Sequence, residues 1–224
     1  TKLKNKNIDS KFIDGLRVTD KDTVKVVEDV LANEINAEIV KSINDSGGKA
    51  IGLSGNKNNL LSASKLKLEI KNSDSNIEKL VDIGFVGQPT KVNTNLIKHH
   101  IKDGEIPVIA PLGIDDEGNS YNINADTAAG FIAGELEASK LLLLTDVPGI
   151  LDQDKKLISS LTLDDASKII DEDFIVGGMK PKILTCVEAM KEGVNKTTIL
   201  DGRIPHSVVL ELFTEHGIGT QIYS

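Results

Sequence analysis

Two lysines follow a pair of glycines where a helix is predicted to begin. Gly177 and Gly178 precede this helix, and Lys180 and Lys182 lie in its first turn. The amino-terminal end of a helix favours anions and disfavours further positive charge, so lysines at this point indicate an anionic ligand. Lys182 follows Pro181 and is the better candidate for contacting a phosphoryl group during its transfer, whereas Lys180 is expected to face solvent. The alternative is that both lysines project into solvent.

A carboxylate beside two amides forms a second candidate cluster. In the segment 122–126, the side chains of Asn122 and Asn124 are predicted to point the same way, and Asp126 lies in the first turn of a predicted helix. Amide donors suit an acidic ligand, and the carboxylate could act as an orienting base. The alternative is that Asp126 caps the helix and the asparagines satisfy the backbone of a turn.

A run of four leucines ends in a polar turn. Residues 141–144 are all leucine, and the segment 145–150 that follows reads Thr-Asp-Val-Pro-Gly-Ile. A continuous apolar run is typical of a buried parallel strand, and ligands bind at the carboxyl ends of such strands. We therefore expect a ligand-binding loop here. An ordinary strand-to-helix connection is the alternative.

One arginine lies in a short loop ahead of a long predicted helix. Arg17, within the segment 14–19, suits bidentate capture of a carboxylate, and a routine surface ion pair is the alternative. Further along the chain, Gly84 and Gly87 could allow the backbone of a flap to approach a ligand.

Composition and missing motifs exclude several classes of function. The formal net charge of -8, with no dense basic stripe, argues against nucleic acid or an anionic membrane as a partner. The sequence contains neither a P-loop nor a Rossmann phosphate-binding motif, and its histidines lack the spacing of metal ligands, so no metal site is predicted. The only cysteine, Cys186, is predicted to be buried in a helix, which fits a reducing cytoplasm.

The elements that would position these clusters alternate between helix and strand. Thr19 and Asp22 predict a capping box at the start of the first helix. The predicted helices cover residues 20–45, 94–102, 125–138, 163–171, 179–192 and 205–215, the strands cover 49–53, 107–112, 140–145, 197–201 and 220–223, and hairpins are predicted within 60–92 and near 115–119. This alternation predicts an α/β fold, an αβα sandwich with a mostly parallel central sheet.

Six motifs resemble those of the amino acid kinase family, in particular of its N-acetylglutamate kinases. They are Gly-Leu-Arg-Val-Thr at 15–19, Gly-Phe-Val-Gly at 84–87, Asn-Ile-Asn-Ala-Asp at 122–126, Leu-Thr-Asp-Val-Pro-Gly-Ile-Leu at 144–151, Gly-Gly-Met-Lys-Pro-Lys at 177–182 and Gly-Ile-Gly-Thr at 217–220. The resemblance covers nearly the whole chain in register. The first and third motifs distinguish it from carbamate kinase, UMP kinase and aspartokinase.

The resemblance implies ATP-dependent phosphorylation of the side-chain carboxylate of N-acetyl-L-glutamate in arginine biosynthesis, with Mg²⁺ accompanying the ATP. It implies that Arg17 and Asn122 hold the substrate, that Lys182 stabilises the transferring phosphoryl group, and that Asp126 orients the catalytic lysines. The residues implied to line the nucleotide are Asp146, Val147, Pro148, Gly149, Ile150, Leu151, Phe174, Ile175 and Val176. A related acylamino acid, such as N-acetylaminoadipate, is an alternative substrate.

Two glycine-rich motifs of the family, Lys-x-Gly-Gly and His-Gly-Gly-Gly, do not occur in these 224 residues. In the family they supply a second lysine and backbone donors for the phosphoryl group, so we expect little turnover by this chain alone. Residues 1–136 are expected to form an acylamino-acid-binding lobe that is incomplete at its N-terminus, and residues 137–224 a nucleotide-binding lobe. A non-catalytic module that senses arginine or an acidic metabolite is the alternative function.

A cluster near the carboxyl end resembles the arginine-inhibited, hexameric branch of the family. It consists of His206, Glu211, Gly217 and Gly219. The resemblance implies L-arginine as a feedback inhibitor and a homo-oligomer, either a dimer or a hexamer.

Overall fold

The computed structural model describes residues 12–13, 16–71, 78–215 and 217–224. The chain divides into two compact units, residues 1–128 and residues 129–224. The sequence predicts the division between lobes at 136/137, whereas the observed division falls inside the helix Ala125–Glu135.

The described part of the first unit combines a small barrel with a separate parallel strand pair. Its strands are β1 (Phe12–Ile13), β2 (Leu16–Arg17), β3 (Ala50–Ser54), β4 (Leu61–Lys71), β5 (Glu78–Val92), β6 (Ile106–Ala110), β7 (Leu112–Ile114) and β8 (Ser120–Asn122). Its helices are α1 (Lys21–Glu28), α2 (Asn36–Asp45) and α3 (Thr94–Lys102), and a π-helical segment, Asp29–Ile35, joins α1 to α2. Strands β3 and β6 pair in parallel, and the side-chain amide of Asn36 donates to the carbonyl oxygen of Val108 at 2.8 Å, which fastens α2 to this pair.

The long helix predicted over residues 20–45 is present, but its central turns are π-helical. Apolar spacing predicts where helical turns lie. It does not distinguish α-helical backbone hydrogen bonds, which join residues four apart, from π-helical ones, which join residues five apart. The helix begins at Asp20, whose carboxylate accepts the backbone N–H of Thr23 at 2.7 Å. The predicted capping box is therefore wrong by one residue, because the hydroxyl of Thr19 donates to the carbonyl oxygen of Arg17 instead.

Strands β4, β5, β8 and β7 close into the barrel. The hairpins β4–β5 and β7–β8 confirm the two hairpin predictions. In the turn of the second hairpin, the carboxylate of Asp115 accepts the backbone N–H groups of Glu117 and Asn119 at 3.0 and 2.8 Å, as the turn residues indicate. Closure depends on a parallel contact between β5 and β8, where Val86 pairs with Asn122. This contact places the last residue of β8 beside β5.

The second unit is built on a four-stranded sheet. The remaining elements are α4 (Ala125–Glu135), β9 (Leu141–Thr145), β10 (Ser160–Thr162), α5 (Leu163–Ile169), α6 (Met179–Lys191), β11 (Lys196–Asp201), α7 (Ser207–Phe213) and β12 (Thr220–Tyr223). The strand order is β10-β12-β11-β9, and only the β11–β12 pair is antiparallel. None of the helices in the described ranges has both the length and the apolar character needed to cross a membrane.

Helices cover both faces of this sheet. On one face, Leu143, Ile199 and Ile222 pack in a buried core with Ile183 and Cys186 of α6. The opposite face meets α7, because the hydroxyl of Thr198 donates to the carboxylate of Glu211 at 3.1 Å. The predicted α/β class, with largely parallel strands and helices on both faces, is confirmed, and so is the burial of Cys186. Strand β10 was not predicted, because three residues of mixed polarity give no periodic signal.

Candidate active site

A cavity of about 270 Å³ opens where β9 ends in the second unit. Its lining residues are Thr145, Asp146, Val147, Gly149, Leu151, Phe174, Ile175, Val176, Gly178, Met179 and Lys182. Seven of the nine residues implied to line a nucleotide are in this set. The walls are mostly apolar, and Asp146 and Lys182 are the charged residues of the lining, which suits a ligand that has an apolar ring and charged groups.

The other two implied nucleotide residues, Pro148 and Ile150, do not line this cavity. Pro148 is exposed to solvent. The side chain of Ile150 is fully buried in the core of the second unit, so it supports the loop from behind. The sequence could not separate these roles, because all six residues of the loop 146–151 lie in one short segment.

The hydroxyl of Thr220 fixes this loop to the sheet. Its oxygen accepts the backbone N–H of Ile150 at 2.8 Å and its hydrogen is donated to the carbonyl oxygen of Ile158 at 2.6 Å. A methyl group on Gly149, whose φ is +150°, would lie 2.6 Å from the same hydroxyl oxygen. The sequence assigned no role to Thr220, the last residue of the motif at 217–220, since its partner Ile150 lies 70 residues away.

The amino-terminal end of α6 faces the cavity. Gly178 and Met179 lie in the cavity wall, and α6 has no side-chain cap in the described structure. Gly177 has φ of +60°, and a methyl group on Gly177 or Gly178 would meet nothing within 4 Å. This open helix end, with its partial positive charge, is suited to a phosphate group.

The two lysines of α6 differ in their surroundings. Lys182 lines the cavity, whereas the side chain of Lys180 is 53% exposed and its amine lies 3.3 Å from the carboxylate of Asp171. Of the two lysines, Lys182 is therefore the one in the cavity wall at the start of α6. Lys180 forms a surface ion pair of the kind that contributes little to stability.

In the first unit, Asp126 lies in the first turn of α4, as predicted. The cap of this helix is Asn124, whose side-chain oxygen accepts the backbone N–H groups of Asp126 and Thr127 at 2.9 and 3.2 Å. The structure therefore gives the capping role to Asn124 rather than to the carboxylate of Asp126. Asn122 is the last residue of β8 and is half-buried.

Arg17 and Asn122 lie on segments that flank the same part of β5. Two residues beyond Arg17, Thr19 bridges to Gly84, and the backbone N–H of Phe85 donates to the carbonyl oxygen of Thr19 at 2.6 Å. On its other side, β5 meets Asn122 through Val86. Segment 84–86 thus contacts Asn122 on one side and, on the other, Thr19, which lies two residues beyond Arg17.

The glycines of the predicted flap have a packing role. Gly84 has φ of +81°, and a methyl group there would collide with the carbonyl oxygen of Thr19. A methyl group on Gly87 would lie 2.6 Å from Cβ of Tyr121. These glycines allow Thr19 and Tyr121 to pack closely against β5. The sequence suggested instead that they would allow the backbone to approach a ligand. Asp14 and Gly15 lie outside the described residues.

Three of the four residues implied to form an effector site are in contact. The buried carboxylate of Glu211 accepts the backbone N–H groups of Ile218 and Gly219 at 2.9 and 3.4 Å, and a methyl group on Gly217 would collide with it. The amine of Lys140 lies 3.8 Å from this carboxylate. His206 is exposed at the start of α7, with φ of +60°.

The family model for the amino acid kinase family matches residues 1–201. The chain belongs to the amino acid kinase family. Among curated amino acid kinases, it is 53% identical over 221 residues to the acetylglutamate kinase of Rhodospirillum centenum, and this match covers 98% of the chain and 72% of that protein. The family resemblance drawn from the six sequence motifs is therefore confirmed.

Solved structures place the chain in the amino acid kinase fold. A carbamate kinase from Giardia superposes with a TM-score of 0.62 at 14% identity, covering 89% of this chain and 71% of the other, which shows the fold alone. The N-acetylglutamate synthase of Neisseria gonorrhoeae, solved with coenzyme A and N-acetyl-glutamate, gives a TM-score of 0.81 at 27% identity. The match covers 99% of this chain and 48% of the synthase chain, so the chain spans about half of that synthase.

Proposed function

We propose that the gene product containing this chain transfers the terminal phosphoryl group of ATP to the side-chain carboxylate of N-acetyl-L-glutamate, in arginine biosynthesis. The observation that carries the proposal is the cavity at the end of β9, where Lys182 and the uncapped start of α6 face an apolar chamber. The 53% identity to an acetylglutamate kinase over nearly the whole chain supports the same substrate.

The two predicted lobes have separate tasks in this proposal. The cavity and its lysine belong to residues 137–224, which we assign to the nucleotide. Arg17, Asn122 and Asp126 belong to residues 1–136, which we assign to the acylamino acid. Arg17 and Asn122 would hold the carboxylates and the acetylamino group, and Asp126 would orient the catalytic lysine side chains.

Phosphoryl transfer requires mainly that the reactants are positioned and that positive charge lies beside the anionic transferring group. Lys182 and the backbone N–H groups at the start of α6 would supply that charge without forming a bond to phosphorus. Among the described residues, no group of three His, Cys, Asp or Glu side chains could hold a metal ion. We therefore propose that Mg²⁺ arrives as part of the substrate, bound to the phosphates of ATP.

The first test is ADP release by the complete gene product with MgATP and each of three acceptors. We expect release with N-acetyl-L-glutamate at a rate at least about a hundredfold above the rate with glutamate, because a site built for the acetyl-amide leaves polar groups unpaired when it is missing. N-acetylaminoadipate is one methylene longer. The rate of ADP release with it is expected to be about tenfold to a hundredfold lower than the rate with N-acetyl-L-glutamate. Faster ADP release with N-acetylaminoadipate would make that compound the assigned acceptor. No release with any acceptor would contradict the proposed activity.

A non-catalytic sensing module is the second candidate. The observation that favours it is the buried Glu211 cluster, because a carboxylate held by backbone N–H groups and close to Lys140 is a built polar site away from the cavity lining. The kinase proposal is preferred, because Lys182 lines a mostly apolar cavity at the start of α6. Binding of arginine by a complete gene product that releases no ADP would favour the sensor.

L-Arginine is proposed as a feedback inhibitor that acts through this cluster. We expect millimolar L-arginine to lower the rate of ADP release several-fold. His206→Ala is expected to weaken inhibition roughly tenfold, since loss of one charged or polar contact costs about 1.4 kcal/mol. His99→Ala, which alters another exposed histidine, should leave inhibition unchanged. An arginine-insensitive rate would refute this regulatory proposal and leave the kinase assignment intact.

The resemblance to arginine-inhibited relatives also leads us to propose a homo-oligomer, a dimer or a hexamer. A cytoplasmic location is proposed with it, because the reaction consumes ATP. Sedimentation of the complete gene product, with and without arginine, measures the assembly directly.

A further inference from the structure

Strand β5 contains a bulge where its pairing with β4 is interrupted. The register passes from the pair Lys67–Asp82 to the pair Lys65–Gly87, so the four residues 83–86 of β5 face a single residue of β4. The backbone groups of such a bulge leave the ladder and are able to bond elsewhere. Bulges are over-represented beside active sites, where they redirect a side chain.

The bulge, residues 83–86, bonds to Thr19. The backbone N–H of Thr19 donates to the carbonyl oxygen of Ile83 at 2.9 Å, and the backbone N–H of Phe85 donates to the carbonyl oxygen of Thr19 at 2.6 Å. Thr19 is fully buried, and its hydroxyl donates to the carbonyl oxygen of Arg17 at 2.9 Å. The bulge therefore holds a residue that in turn holds the backbone of Arg17.

The carboxylate of Asp82 fixes the shape of the bulge. Its Oδ1 accepts the backbone N–H of Gly84 at 2.8 Å, and its Oδ2 accepts a hydrogen bond from Nζ of Lys65 at 2.7 Å. Gly84 has φ of +81°, and the bond to Asp82 satisfies its N–H group in this turn. The hydrogen bonds from Lys65 and from the Gly84 backbone lower the pKa of Asp82, so the carboxylate is ionised at neutral pH.

The ion pair alone does not explain this arrangement. The side chains of Lys65 and Asp82 are 42% and 68% exposed, and exposed pairs contribute little to stability. The bond from Gly84 has a different effect. Because Gly84 lies between Ile83 and Phe85, this bond sets the direction in which both residues present their backbone groups to Thr19.

The structure assigns Asp82 and Thr19 as positioning residues for the acylamino acid: Asp82 fixes the bulge, the bulge holds Thr19, and Thr19 holds the backbone of Arg17. A guanidinium captures a carboxylate through two parallel N–H bonds, so its grip is sensitive to a small displacement of its own backbone. Neither positioning residue is required to touch the substrate. This inference rests on the proposed function, because it takes Arg17 to bind the acceptor.

The test compares Asp82→Ala and Asp82→Asn with the parent gene product. Asp82→Ala leaves the N–H of Gly84 without its acceptor, and we expect Kd for N-acetyl-L-glutamate, measured by calorimetry, to rise about tenfold. KM for ATP should change less than about twofold. Asp82→Asn keeps an oxygen that accepts the same N–H, so it should recover most of the affinity. Lys65→Ala removes only the ion pair and should leave Kd within about twofold of the parent.

A double-mutant cycle shows whether Asp82 acts through Arg17. Arg17→Ala alone should raise Kd for N-acetyl-L-glutamate about a hundredfold, since it removes a charged hydrogen-bonding group. In the Arg17→Ala background, Asp82→Ala should add less than about twofold, because the side chain that it positions is gone. A general loss of packing would give equal effects in both backgrounds. Equal effects therefore overturn the inference.

Asp45→Ala is the matched control, because Asp45 also pairs with an exposed lysine of the first unit, Lys41. Its Kd should equal that of the parent. An unchanged Kd in Asp82→Ala overturns the inference. If Asp82→Ala fails to fold, Thr19→Val decides, since it removes the hydroxyl and keeps a similar size and the backbone bonds of Thr19. A Kd equal to the parent's then overturns the inference, and a rise of about threefold or more with KM for ATP unchanged supports it.

The experiment separates this inference from the proposed function, because binding of N-acetyl-L-glutamate requires no turnover. A gene product that binds it with the expected losses, yet releases no ADP, would contradict the proposed reaction and leave the inference standing. ADP release by the parent, with a Kd that Asp82→Ala leaves unchanged, would overturn the inference and leave the reaction standing. A gene product that binds no N-acetyl-L-glutamate would refute both.

Discussion

Replacing Lys182 with alanine is expected to lower kcat by two to three orders of magnitude. Removing one preorganised charge from a site of phosphoryl transfer costs about 3–4 kcal/mol of transition-state stabilisation. Lys182 lines the cavity beside Gly178 and Met179 at the start of α6. The substitution removes the side-chain charge and leaves the partial charge of the helix end in place, so a residual rate is expected. Initial rates of ADP release at saturating MgATP and N-acetyl-L-glutamate measure the effect.

The control for this experiment is two residues away. Lys180→Ala removes the same charge from the same helical turn, but its amine is exposed and paired with Asp171 at 3.3 Å. We expect kcat to stay within about twofold of the parent, because exposed pairs contribute less than about 1 kcal/mol. Near-normal turnover by Lys182→Ala, or equal losses in the two variants, would remove Lys182 from the mechanism.

Gly84→Ala is expected to destabilise the protein by about 2–5 kcal/mol. A residue other than glycine at φ of +81° costs about 1–2 kcal/mol in backbone strain. The added methyl group also collides with the carbonyl oxygen of Thr19, and relieving such overpacking by backbone movement costs about 1–3 kcal/mol more. Urea unfolding followed by circular dichroism, with a shift in midpoint at constant slope, measures the loss.

The same substitution is expected to affect one substrate more than the other. The hydrogen bonds between 83–85 and Thr19 hold the segment that follows Arg17, and Val86 pairs with Asn122. Displacing β5 should raise KM for N-acetyl-L-glutamate several-fold and change KM for ATP little. Gly104→Ala is the matched control, because Gly104 has φ of +74° with nothing within 4 Å of an added methyl group. It should cost about 1–2 kcal/mol and leave both KM values unchanged; equal destabilisation by the two substitutions would show that the Thr19 contact is unimportant.

Helices and strands with strong patterns were predicted closely from the sequence. The helix Thr94–Lys102 and the strand Thr220–Tyr223 have the predicted bounds. In both, apolar spacing agrees with flanking turn residues, so local and tertiary preferences coincide. The shift of the first N-cap from Thr19 to Asp20 shows the limit of this agreement. Both residues are good caps, and the contact of Thr19 with β5, which is distant in sequence, decided between them.

The candidate site was predictable where a short segment provides both backbone and side chain. The loop 146–151 and the start of α6 are of this kind, and the structure places residues of both segments in one cavity wall. The supporting residues were not predictable. Thr220 acts through Ile150 and Ile158, which are distant in sequence, and strand order cannot be deduced from one sequence. The barrel closure that brings Asn122 to β5, and the bridge between Thr19 and Gly84, depend on the same long-range pairing.

The bond between Thr220 and the loop has a mechanical consequence for the Glu211 cluster. Gly219, whose backbone N–H meets Glu211, is joined to Thr220 by a single planar peptide, and Thr220 holds Ile150. The N–H of Gly219 lies on the preceding peptide, so the two soft dihedrals of Gly219 and the side chain of Thr220 separate the bond to Glu211 from the bond to Ile150. The Glu211 cluster and the bond that holds Ile150 are therefore neighbours along the chain, and rotation about the Gly219 backbone sets how far one can move without the other.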